Sequence, residues 1–172
     1  MEYWDVYDIN RVKTGRTVER HSNDRLKENE YHLGIHVCVF NSKTEMLIQK
    51  RQITKKADPG KWDFSARGSV LKGETSQEGA HRELLEEIGI DYNFNSERSK
   101  FTINSEKLFD DYYIIKKDID LHELNLQKEE VEFVKWASKD EIIELIDENQ
   151  FAKCSKELIN YIFEIFKKQI DY

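Results

Sequence analysis

The stretch HRELLEEIG, His81 to Gly89, places three carboxylates close together behind an arginine. On an α-helix, Glu83, Glu86 and Glu87 stand at i, i+3 and i+4 and share one face. Like charges at that spacing repel by roughly 0.2–0.5 kcal/mol per pair on an exposed helix. Such a cluster is either solvated by water or meant for something positive. The chemistry open to it is that of a hard divalent cation, which takes oxygen ligands and bridges carboxylates to phosphates.

The flanks decide between the two. ARGSVLKGE precedes the acids, with Gly68 and Gly73 bracketing a loop where backbone folds tightly or approaches a ligand. Thr75 and Glu78 have the spacing of a capping box, and Gly89 stands where a left-handed cap ends a helix. Loop, helix and loop thus hold an acidic face against a glycine turn.

From Gly68 to Ile90 the chain reads GSVLKGETSQEGAHRELLEEIGI. It resembles the Nudix box, G-x5-E-x7-R-E-U-x-E-E-x-G-U with U aliphatic, at Gly68, Glu74, Arg82, Glu83, Leu84, Glu86, Glu87, Gly89 and Ile90. The resemblance implies an Mg²⁺- or Mn²⁺-dependent hydrolase that splits a nucleoside diphosphate linked to a group X. It implies Glu83 and Glu87 as metal ligands, Glu86 as a third ligand or the base for water, and the Gly68 carbonyl as a backbone ligand. Glu74 and Arg82 are expected to pair and orient the helix. Glu129 or Glu130 is a weaker candidate for an extra ligand or base, an ordinary charged strand end being the alternative.

Upstream, QKRQITKKADPGKWDFSARGS concentrates Lys50, Arg51, Lys55, Lys56, Lys61 and Arg67. Cations there could hold phosphates as charge-assisted donors. The stretch is similar to type I isopentenyl-diphosphate isomerase, another protein of the Nudix fold, at Thr14-Gly15, Tyr31-His32, Arg51, Lys55-Lys56, Pro59-Gly60 and Trp62. That likeness implies a diphosphate grip by Arg51 and Lys55. The isomerase chemistry is missing: Arg67 stands where that family has a catalytic cysteine, and Ser69 where it has a metal-binding histidine. Its other upstream histidine falls near Arg25, with His21 not far off, and His32 is expected to be a hydrogen-bonded strand residue. Arg67 is expected to add a phosphate contact. A non-catalytic nucleotide-binding module is the third reading, disfavoured by the intact acid set.

The elements that must position these groups follow from periodicity. The chain has 172 residues, 38% hydrophobic and 35% charged, which suits one domain with a modest core. A net charge of −7 argues against a nucleic-acid polymer as partner and leaves a small-molecule diphosphate open. Cys38 and Cys154 have no metal-ligand spacing, MEYWDVYDIN is not a signal peptide, and no apolar run suggests a membrane span. A cytoplasmic protein is expected, and a homodimer is compatible with the sequence.

A hairpin is expected at the start, then strands at Tyr31 to Phe40, Glu45 to Gln52, Ser105 to Asp118 and Glu129 to Ser138. Helices are expected over Thr75 to Ile88, after the Ser138–Glu141 capping box, and at the C-terminus with Leu158, Tyr161, Ile162, Ile165 and Phe166 inward. The fold class is α/β (α+β): a Nudix-type α/β/α sandwich around a mixed β-sheet, with an N-terminal β-hairpin. A single domain over 1–172 divides into hairpin and connector (1–30), core (31–150) and C-terminal helix (151–172).

Overall fold

Residues 1–20 and 25–170 are described by the computed structural model, so His21 lies outside the described residues. Strands β1 (Tyr3–Tyr7) and β2 (Lys13–Glu19) form the antiparallel N-terminal hairpin. Arg11 in its turn adopts a left-handed backbone, φ 62°, and ion-pairs with Asp111. The buried Asp111 also accepts hydrogen bonds from the hydroxyls of Ser76 and Thr102, both at 2.6 Å. One buried carboxylate therefore ties the hairpin to the rest of the fold.

The main sheet contains β3 (His32–Phe40), β4 (Met46–Arg51), β5 (Trp62–Asp63), β6 (Ala66–Ser69), β7 (Phe101–Asn104), β8 (Leu108–Lys116) and β9 (Val131–Ala137). β3 runs parallel to β8, with His32 opposite Leu108 and Phe40 opposite Lys116. The other pairings are antiparallel, which makes the sheet mixed. On its second side β3 meets β6, with Ile35 opposite Gly68 and His36 opposite Arg67, and it pairs with β4 at Phe40 and Met46.

Helices cover both faces, and the period of two along β3 shows how. Ile35, Val37 and Val39 join Ala80, Leu84 and Ile88 of α1 (Ser76–Ile88) in one core. Cys38 and Phe40 join Ile142 of α2 (Lys139–Asp147) and Ile159, Ile162 and Phe166 of α3 (Lys156–Ile170) in the other. The α/β/α sandwich and the hairpin are both present.

Three expectations need correction. α3 begins at Lys156 rather than at residue 151, because the preceding chain is tied to β5. There the Ala152 N–H donates to the Trp62 carbonyl at 2.7 Å, and the Trp62 N–H donates to Gln150 at 2.8 Å. Tyr161, expected inward, is 50% exposed and leans on Phe101, while Ile159 and Phe163 fill the core. β7 is a strand the pattern did not signal, since FTIN is short and its second half is exposed.

Candidate active site

α1 starts and stops as its ends dictate. The Glu78 N–H donates to the Thr75 hydroxyl at 3.2 Å, and the Thr75 N–H donates to the Glu78 carboxylate at 2.7 Å. Gly89 closes the helix at φ 75°, and a Cβ there would lie 2.8 Å from the Asn125 nitrogen. Gly79 is explained by packing: a Cβ would come within 3.0 Å of Val70 Cγ2. The helix is pressed against the chain just beyond β6.

The three glutamates differ in surroundings. Glu87 is 5% exposed; its Oε2 accepts from Gln49 Nε2 at 2.7 Å and from the Arg67 N–H at 3.3 Å. Burial, then the neighbouring Glu83 charge, push its pKa up to about 8. Glu83 is pressed against Gly68, where a Cβ would lie 2.0 Å from its carboxyl carbon. Burial raises the Glu83 pKa against the opposing pull of Arg82. Glu86 is the open member, with its side chain 54% exposed.

Arg82 threads this cluster. Its Nε and Nη2 grip the two Glu74 oxygens at 2.7 and 3.1 Å, and Nη2 also donates to the Ser69 carbonyl at 2.9 Å. Its Nη1 donates to Glu83 at 2.9 Å and to Glu86 at 3.3 Å. Glu74 in turn accepts the Leu71 N–H at 2.8 Å, so the glycine loop and the helix share one salt-bridge network.

Among the described residues, no three His, Cys, Asp or Glu side chains already converge as a metal cage. The donor set nevertheless suits Mg²⁺ or Mn²⁺. Oε2 of Glu83 and Oε1 of Glu86 and Glu87 have no hydrogen-bond partner among the described residues. A buried carboxylate beside a second one is also where a cation gains most.

Glu83, Glu86, Glu87, Gly68 and Arg82 line a cleft of about 380 Å³ together with Arg51, Lys55, Arg67 and Glu130. Glu74 and Gly89 stand behind it, and the exposed Glu129 does not line it. Each of the three expected phosphate-binding cations has an acidic partner. Lys55 pairs with Glu130, and Arg51 reaches Asp63 at 3.3 Å. Arg67 reaches Asp63 at 2.8 Å and Asp58 at 3.2 Å. Burial works against the Arg67 charge, but Asp63 and Asp58 outweigh it and hold its pKa above the ordinary value.

Sequence reasoning missed several groups here. Asp63 is fully buried between Arg51 and Arg67, and Gln49 is 1% exposed against Glu87. Alternation along MLIQKR and KWD was the available signal for both. His32 departs from the expected hydrogen-bonded strand residue at one nitrogen: its Nδ1 is buried without a partner among the described residues, and its ring stacks on Trp4 at 4.1 Å.

Comparison with known proteins identifies the family. The family model described as NUDIX domain matches residues 30–159. A relative from Listeria monocytogenes, named as an uncharacterized Nudix hydrolase, is 48% identical over 163 residues, covering 95% of this chain and 91% of its own. An isopentenyl-diphosphate Delta-isomerase from Corynebacterium diphtheriae is 39% identical over only 59 residues, 34% of this chain and 32% of that protein. The crystal structure of DR0079 from Deinococcus radiodurans has the same fold, with TM-score 0.77 and 20% identity, covering 94% of this chain and 99% of that one. With its box built around one cleft and the family match spanning most of its length, this chain belongs to the Nudix hydrolase family.

Proposed function

We propose that this protein hydrolyses the diphosphate linkage of a small nucleoside diphosphate-X type substrate with the help of Mg²⁺ or Mn²⁺. One observation carries the reading: carboxylates with oxygens unpartnered among the described residues line the same cleft as Arg51, Lys55 and Arg67. Glu83, Glu87, Glu86 and the Gly68 carbonyl are the oxygens that would hold the cation. When bound, it supplies charge neutralisation at the diphosphate and acidifies water.

The chain's own residues do the rest. Arg51, Lys55 and Arg67 orient the diphosphate through charge-assisted hydrogen bonds that strengthen as negative charge builds on the phosphoryl oxygens. Glu86, the most accessible of the three acids, serves as third ligand or takes the proton of the attacking water. Glu74 and Arg82 hold α1 against the glycine loop, so that the carboxylates keep their spacing.

Isomerisation of an alkene needs two poised acid/base groups. Arg67, fixed by Asp58 and Asp63, stays protonated, and Ser69 offers no imidazole. The test incubates nucleoside diphosphates, nucleotide sugars, dinucleotides and prenyl diphosphates with Mg²⁺ and reads phosphate and monophosphate release. Release from at least one class is expected. Deuterium incorporation into dimethylallyl diphosphate from isopentenyl diphosphate in deuterated water would overturn the reading.

A further inference from the structure

Beside the acids and cations, the floor of the cleft contains a pair with different chemistry. His36 on β3 sits directly across from Arg67 on β6 and Tyr112 on β8. Its Nδ1 lies 2.9 Å from Asp110 Oδ1, its ring stacks on Tyr112 at 4.5 Å and 3°, and the edge of Phe64 closes in at 5.0 Å. Gly34 makes the pair feasible, since a Cβ there would lie 2.9 Å from the same Asp110 oxygen. Both His36 and Asp110 line the cleft.

This arrangement fixes a tautomer. An ionised carboxylate only accepts, so Nδ1 carries the proton, and in the neutral ring Nε2 then presents a lone pair. Nε2 has no partner among the described residues and is not among the buried unsatisfied atoms. The cleft thus offers donors to phosphate oxygens from Arg51, Lys55 and Arg67, and one pre-oriented acceptor beside them.

Resting on the hydrolase reading above, we infer that His36, oriented by Asp110, is a specificity residue whose Nε2 accepts a hydrogen bond from a donor on group X, such as a sugar hydroxyl. The preferred substrates are diphosphates with a hydroxylated X. Prenyl diphosphates, which carry a diphosphate but no donor on X, are disfavoured because the acceptor, cut off from water once the cleft is filled, is then left unpaired.

The experiment measures binding by calorimetry in EDTA, with ADP-ribose and geranyl diphosphate as probes. Wild type is expected to bind ADP-ribose about tenfold more tightly. His36→Phe keeps a ring on Tyr112 and removes both nitrogens; it should weaken ADP-ribose by about five- to tenfold and leave geranyl diphosphate unchanged. Asp110→Asn keeps the shape but lets an amide donate to Nδ1, turning Nε2 into a donor; it should erase the preference too. An unchanged preference in both variants, or equal weakening of both probes, overturns the inference. Hydrolysis of ADP-ribose and of the wider diphosphate panel with Mg²⁺, measured in parallel, reads the other claim: selective binding with no turnover of any class would sink the hydrolase and keep the subsite.

Discussion

The Glu83 carboxyl group lies across the bare Cα of Gly68, so close that a methyl group there would sit 2.0 Å from its carbon. The glycine therefore does more than shape a loop. The atom in the way is the end of a side chain and can swing aside at little cost in stability. Gly68→Ala is expected to fold with less than about 1 kcal/mol of destabilisation yet lose about tenfold to a hundredfold in kcat, because a displacement on the order of 1 Å misplaces a catalytic group. Urea denaturation and steady-state kinetics together check this. A variant that kept full turnover would mean Glu83 has no role in catalysis.

Metal binding gives a second expectation. Mg²⁺ at about a hundred times its dissociation constant should add about 2.7 kcal/mol to stability by mass action and raise Tm. Glu87→Gln should lose most of that response. Without Mg²⁺ the variant should melt no lower than wild type, since a buried carboxylate beside Glu83 becomes a neutral amide. Thermal scans with and without Mg²⁺ decide it, and an equal response in both proteins would remove Glu87 from the ligand set.

Asp63 is the sole acidic group within salt-bridge reach of both Arg51 and Arg67 among the described residues. Replacing it with asparagine leaves the buried Arg51 without a counter-charge. Breaking a buried pair in this way costs about 3–5 kcal/mol. Asp63→Asn should show that loss in chemical denaturation, and a change below about 1 kcal/mol would contradict the pairing.

The hairpin supplies a fourth case. Arg11→Ala removes the cation on Asp111 but leaves the Ser76 and Thr102 hydroxyls in place. With the Arg11 side chain 36% exposed, the loss should stay near the low end of about 1–3 kcal/mol. Amide exchange should quicken over Tyr3–Tyr7 and Lys13–Glu19 before it does in β3.

Much of this was legible in the residues, for reasons of period and spacing. Thr75, Glu78 and Gly89 define α1 by local chemistry, and the alternation of β3 separates the two cores. Long-range partners were not legible. Nothing near Lys55 in the sequence announces Glu130, because they meet only once β9 lies beside β4. Asp110 and His36 are 74 residues apart and become neighbours through the parallel β3–β8 register. Tyr161 misled because its helical phase places it at the rim of the apolar stripe, where half the ring stays wet.

The pairing of Arg51, Lys55 and Arg67 with Asp63, Glu130 and Asp58 has a kinetic consequence. On the proposed reading, a substrate reaching these cations would exchange places with anions already there instead of falling into a bare positive hollow. Seen from beyond a Debye length, about 8 Å at physiological ionic strength, the fields of such pairs largely cancel. Long-range attraction then adds little to the encounter rate, which should vary only weakly with added salt. Discrimination is left to short-range contacts made after arrival.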